Sequence, residues 1–258
     1  RTLSLRAIEM ARRLNEPTTL FDVLYAFTLA NRTPADIQER LANLDELLQL
    51  AQILDDRVRE AHVYAASTVD QLGFGNIDKV DELLKIQANL SDELQHMFFL
   101  FISPVFHSMR ATLAGNFALG EQLAEQALLV DQQMQVKNTD GIYGILMFTI
   151  RREQGELQQL RPILQDFVEH NPESAVWRPG LALLYADLNL VKEARTQFEL
   201  LAANNFAVLP QDGLFAGTLA YLSEVCAFLQ DEVRAAYLYQ QLLPYAALVI
   251  VLGFGVAC

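Results

Sequence analysis

The side chains in this sequence best suited to metal binding or to nucleophilic and acid–base chemistry are four histidines, His62, His96, His107 and His170, and two cysteines, Cys226 and Cys258. A metal site on a helix needs ligands at i and i+4 or a neighbouring cysteine, and no two of these histidines have that spacing. His96 and His107 stand eleven apart, three turns along one expected helix, so they share a face without reaching one ion. They read as a buried polar group and a groove-lining residue. Cys226 falls in mid-helix with no adjacent base, which suits a reduced, buried thiol better than a nucleophile. No GxSxG elbow is present. Gly73-Phe74-Gly75 has neither the third glycine of a dinucleotide fingerprint nor a GK[ST] ending, and no strand precedes it, so it reads as a turn between helices.

The carboxylate doublets Asp55-Asp56, Asp81-Glu82 and Asp92-Glu93 fall near expected helix starts, where the macrodipole favours negative charge. Capping explains them before acid–base chemistry does. The basic doublets Arg12-Arg13 and Arg151-Arg152 invite an acidic partner, but two charges make no patch. Neither a catalytic residue nor a metal ligand is assigned, and no cofactor is expected.

Those side chains must be positioned by helices. Hydrophobic residues make up 52% and charged residues 20% of 258, with 12 Gly and 8 Pro, and the straight-chain residues that dominate favour helix over sheet. A formal net charge of −13 would repel a phosphate backbone or an anionic membrane surface, so direct nucleic-acid binding and membrane association are not expected. Two cysteines are too few for a disulfide framework, and a cytoplasmic location follows. The chain opens in mid-helix without an initiator Met or a secretory leader, as a piece of a longer protein would. The stretch Tyr245 to Cys258 carries no charge. It is interrupted by glycines and falls short of the roughly 20 apolar residues that a membrane span needs, so a buried core segment is expected.

Self-comparison finds one pattern five times. Turns fall at Gly75, Gly115, Gly155, Asn189 and Gln230, at nearly even intervals that each suit one helix–turn–helix unit. Five positions past each comes a small or aliphatic residue, and four later a large apolar one: Val80 and Leu84, Gly120 and Ala124, Leu160 and Leu164, Ala194 and Phe198, Ala235 and Tyr239. Pro34 continues the series backwards from Gly75 by one more such interval, with Thr33 as N-cap and Asp36 in the first turn. The helix it opens carries Ile37, Leu41, Leu44, Leu48 and Ala51 on one face, with Glu39, Arg40, Asp45 and Glu46 opposite.

Periodicity and stop signals predict helices over 2–14, 18–31, 34–54, 56–72, 76–89, 91–113, 117–135, 139–153, 156–169, 173–187, 190–203, 212–229 and 231–243, and no strand. The fold class expected is all-α: one domain over residues 1–258, an α-α superhelix of about six helix pairs.

The pattern resembles tetratricopeptide repeats. That family places a small residue seven before the turn glycine, where this chain has Thr68, Ser108, Phe148, Ala182 and Ser223. The stretches LYADLNLVKEARTQFELLAANNFAVLP (184–210) and FLQDEVRAAYLYQQLLPYA (228–246) further resemble the helical region of large bacterial regulators that link an ATPase module to a LuxR-type DNA-binding domain or a class III cyclase. The family's aromatic near the start of the first helix is absent from most units.

The resemblance implies a TPR-like solenoid with a concave groove. His62, Met109, Thr149, Arg152 and Glu224 fall at groove positions in the repeat alignment, a polar and soft set suited to a peptide or protein segment. The expected role is non-catalytic: a protein–protein or ligand-sensing module of a bacterial signalling or transcriptional regulator, with a protein, peptide or small-molecule effector as partner. Self-association through 245–258 is a further expectation. The alternatives are a freestanding scaffold or co-chaperone holding an extended peptide, and a helical-toroid enzyme, for which converging acids or metal ligands are not found.

Overall fold

A computed structural model describes residues 2–30, 34–134, 140–171, 177–210, 213–252 and 255–256. The described residues form thirteen α-helices: α1 (Thr2–Leu14), α2 (Pro17–Ala30), α3 (Ile37–Ile53), α4 (Arg57–Gly73), α5 (Ile77–Leu94), α6 (Met97–Leu113), α7 (Phe117–Asp131), α8 (Asp140–Glu153), α9 (Arg161–His170), α10 (Arg178–Asp187), α11 (Val191–Phe206), α12 (Phe215–Phe228) and α13 (Glu232–Leu242). The protein is all-α, as composition and periodicity predict. It divides into two compact units, Arg1–Ser103 and Pro104–Cys258, with the boundary at Pro104 inside α6.

The turns explain why the helices repeat. All five turn positions read from the sequence have left-handed backbone: Gly75 (φ 69°), Gly115 (76°), Gly155 (71°), Asn189 (57°) and Gln230 (56°). Each closes a Schellman motif, which satisfies two of the carbonyls that a helix end leaves orphaned. At Gly75 the amide donates to Leu72 O (2.8 Å) and that of Asn76 to Gln71 O (3.0 Å); the same two bonds recur at Gly115, Gly155, Asn189 and Gln230. The residue after the left-handed one also opens the next helix. Asn76, Asn116 and Asp231 accept the amide protons of Lys79, Leu119 and Arg234. Asp56 does the same for Arg59, after left-handed Asp55 (φ 52°). Left-handed Asn15, Asp55, Gly75, Gln95, Gly115 and Gly155 all fall on one evenly spaced series.

In the first unit α1 packs on α2, α2 on α3, α3 on α4 and α4 on α5. Phe21, Leu24 and Phe27 of α2 meet Leu44, Leu47 and Leu50 of α3 and Val63 and Ala66 of α4 in one core. In the second unit α10 packs on α11 and α12 on α13; in addition α10 packs on α12 and α11 on α13. Contact between like members of successive pairs is what a tandem repeat requires, since each pair covers its neighbour's apolar flank. The small residues of the repeat pattern make this possible. Ser108 Oγ of α6 donates to Gly120 O of α7 at 2.6 Å, and a Cβ on Gly120 would lie 2.7 Å from Thr112 Oγ1. Thr68, Ser108 and Ala182 are fully buried, as are Val80, Ala194 and Phe198.

Several sequence expectations need correction. Helix α5 runs on to Leu94 and α6 begins only at Met97, with left-handed Gln95 between them. Asp92-Glu93 therefore closes a helix rather than opening one. His96 precedes α6 and shares no helix with His107; its carbonyl accepts from Phe99 N and Leu100 N. Pro34–Asp36 is a 3-10 turn, and α3 starts with Asp36 as its N-cap; Thr33 lies outside the described residues. The inner face of α3 is Arg40, Leu44, Leu47, Leu50 and Ala51, so Arg40, placed in solvent by its charge, faces inward. Ala235 and Tyr239 are exposed, and the buried residue of α13 is Leu238. The expected end of the eleventh helix at 203 matches the loss of helical geometry at Ala203 to Asn205.

The uncharged end of the chain departs most. Val251–Leu252 and Gly255–Val256 form a short antiparallel pair, where no strand was expected. The β-branched run Val249-Ile250-Val251 prefers extended backbone, which is the physical reason. Only part of the segment is core: Leu252 is 8% exposed while Val249 is 36% exposed.

Candidate functional site

The first helices of the pairs, α2, α4, α6, α8, α10 and α12, carry the residues that the repeat pattern assigns to a groove. In the first unit His62 of α4 sits among aromatic rings from both flanking first helices. Its ring centroid lies 5.7 Å from Tyr25 of α2 and 5.2 and 4.9 Å from Phe98 and Phe99 of α6. Burial in this cluster, with the nearby His96 adding to it, holds the imidazole below its ordinary pKa. Beside it Arg59 of α4 reaches Asp22 of α2 (3.0 Å) and lies over the Phe21 ring.

In the second unit the corresponding tie is Arg152 of α8. Its Nε donates to Asp187 Oδ2 of α10 at 2.8 Å, and its two terminal nitrogens hold the Glu224 carboxylate of α12. Burial works against this cation, but the bonds to Glu224 and Asp187 outweigh it and raise its pKa. Phe148 of α8 meets Tyr221 of α12 at 5.8 Å. One arginine thus fixes three successive first helices to one another. Thr149, one turn back, is half-buried with its hydroxyl bonded to Ile145 O (3.0 Å).

Of the five groove candidates, His62, Thr149, Arg152 and Glu224 keep part of their surface accessible. Met109 does not: at 1% exposure it is interior and offers no surface to a ligand. A Met six positions before a turn reads the same in sequence whether it faces solvent or a neighbouring helix.

Most of the remaining residues singled out for chemistry have partners within the chain. Cys226 is buried, donates its thiol to Asp231 O (3.2 Å), and is pushed up in pKa by burial. Cys258 lies outside the described residues. Both basic doublets are paired within the chain, Arg12 to Glu46 (2.8 Å), Arg13 to Glu9 and Arg151 to Glu121. His170, exposed at the end of α9, bonds to Asp166 O (2.8 Å), which raises its pKa. Among the described residues, no three of His, Cys, Asp and Glu converge so as to hold a metal ion, and no helix is long and apolar enough to cross a membrane.

Sequence reading missed the partners of these cations, although a signal was there. Arg12 and Glu46 are 34 residues apart, Arg152 and Asp187 35, Arg234 and Glu199 35, Arg57 and Glu93 36, and Arg59 and Asp22 37. Opposite charges one repeat apart mark pairs that bridge neighbouring repeats.

A second feature borders the Arg152 surface. Ile145, Phe148, Trp177, Thr218, Tyr221 and Leu252 line a cavity of about 40 Å³ between α8, α10, α12 and the strand pair. That is well below the roughly 150 Å³ of an engineered apolar cavity that admits benzene, so it has no room for a ligand of that size.

What the fold and these surfaces define is an all-α protein of repeating helix pairs, whose first helices in each unit carry a polar face edged by aromatic rings. No family model matches the chain, and no curated protein matches its sequence.

Proposed function

We propose that this chain is a non-catalytic binding module, the interaction or sensing segment of a cytoplasmic bacterial signalling or transcriptional regulator. The observation that carries the reading is the joining of α8, α10 and α12 through Arg152, Asp187 and Glu224. This partially exposed charge network spans three successive helices, with Arg152 held as a cation by Glu224 and Asp187, so that it acts as a tie and not as a proton donor. It suits a surface that must keep its helices in register while presenting side chains to a partner. His62 and its aromatic neighbours offer a comparable surface on the first unit, one that would accept a protein or peptide segment by stacking and hydrogen bonding. A partner that prefers one arrangement of the helix pairs would shift the population of states, and an attached domain could read that shift.

Site-specific photocrosslinking in the cells that make the protein tests this. A crosslinker at position 62, 149 or 224 should capture the same discrete partner, while one at Ile163, exposed on α9, should not. Equal labelling from all four positions, or none from any, would overturn the reading.

A further inference from the structure

The second unit already holds a ligand-like segment of its own. Strand Val251–Leu252 lies on α12 and its partner Gly255–Val256 on α8, so the chain's extended end bridges two of the helices that Arg152 ties together. The contact is built for it. Gly217 lies in the first turn of α12, and what sits on it is a leucine side chain. A Cβ there would fall 2.2 Å from Leu252 Cδ1 and 3.1 Å from its Cβ and Cγ. Leu252 is buried and belongs to the same core as Leu219, Tyr221 and Leu222. Around it the cavity is lined by aliphatic and aromatic groups with a single hydroxyl from Thr218 and another from Tyr221, and the segment 245–258 bears no charge.

We propose that this groove is an acceptor for an extended, uncharged peptide of a protein partner, anchored by one branched aliphatic side chain on Gly217, and that Leu252 is a resident competitor for the site. The inference rests on the binding-module reading above and narrows its ligand. Recognition rests on the side-chain socket over Gly217, which takes one branched aliphatic group, and on the apolar walls around it. While Leu252 is seated the cavity is too small for an added side chain, so a partner must displace the strand pair. Its apparent affinity is then reduced by the fraction of molecules in which the groove is open.

The test uses the full chain and a fluorescent peptide of residues 248–256 flanked by lysines for solubility, followed by anisotropy. Leu252→Asp, which expels the anchor, should bind the peptide at least about tenfold more tightly than the parent chain, because the competitor is gone. Gly217→Leu combined with Leu252→Asp should abolish that gain by filling the socket. Leu252→Ala gives the same comparison if the aspartate lowers the melting temperature. Equal affinity of parent and variants overturns the proposal. So does a parent chain that sediments as a dimer and becomes monomeric with Leu252→Asp, since the occupant would then be a second copy. Intact crosslinks at positions 62, 149 and 224 with no peptide binding defeat this inference alone; loss of both defeats the binding-module reading.

Discussion

Arg40 of α3 grips Asp70 of α4 with both ends of its fork, Nε donating to the two carboxylate oxygens at 3.0 Å and Nη2 to Oδ1 at 2.7 Å, and both residues are buried. Removing one half of a buried pair strands the other charge at about 3–5 kcal/mol, whereas replacing both by apolar groups of similar size is often neutral or better. Arg40→Met, which removes the partner of the buried Asp70 carboxylate, should therefore lower the stability of the first unit by that amount in urea melts, and adding Asp70→Leu should restore most of it. Equal losses in the single and double variants would show that the pair contributes through shape alone.

The left-handed turns allow a test of opposite signs. Positive φ costs a residue with a Cβ roughly 1–2 kcal/mol, and glycine is spared that strain. Gln230→Gly should raise the melting temperature by about 2–4 °C. Gly155→Ala should lower it by a similar margin; a Cβ at Gly155 meets nothing within 4 Å, so that cost is purely one of backbone. A calorimetric scan of both variants decides it.

Close approach of α6 and α7 depends on Gly120. Its missing side chain leaves room for Thr112 and for the bond from Ser108, so Gly120→Leu should cost about 1–3 kcal/mol or more by overpacking. Adding Thr112→Ala should recover part of that loss in the same urea melts, because the two positions are in contact and their effects are coupled.

Acid should weaken the first unit through His62. Its folded pKa lies below the ordinary value near 6.5, chiefly from burial and then from His96, with Asp56 pulling the other way. The unfolded chain then binds more protons than the folded one once the pH drops below about 6.5, so stability is complete above that point and falls as the pH moves down toward the folded value. His62→Phe should flatten the stability profile between about pH 7 and pH 5. An unchanged slope would place the pH sensitivity elsewhere. Asp231 contributes in a lower window: the Arg234 amide holds its carboxyl down, so the stability it adds is present above its ordinary value of 3.8 and is lost as the pH falls below it.

The helices and most of their turns were legible because they rest on local signals: apolar periodicity, a glycine or asparagine at four of the five left-handed turn positions, and an Asn or Asp cap after three of them. Arg40 was misplaced for a related reason. Its charge argues for solvent, and only Asp70, 30 residues on and in another helix, reverses that argument. The aromatic surround of His62 and the salt bridges of Arg152 are likewise contacts between repeats, visible in sequence only as opposite charges or rings about one period apart. Met109 shows the converse limit, since a repeat position fixes which helix face a residue occupies but not whether another helix covers it. The strand pair at the chain's end had no signal beyond its β-branched run, and the seating of Leu252 on Gly217 joins two residues that no helical period relates.

The regular beat of the left-handed turns also governs how such a chain can change length. Because one helix is closed and the next opened by the same few backbone bonds, a whole cassette running from one turn to its equivalent can be copied or dropped with each junction left intact. A one-residue slip inside a helix has no such immunity, for it swings everything beyond it through about 100° and turns the greasy flank toward water. Variation in the number of helix pairs is thus the route of least disruption by which such a repeat would grow or shrink.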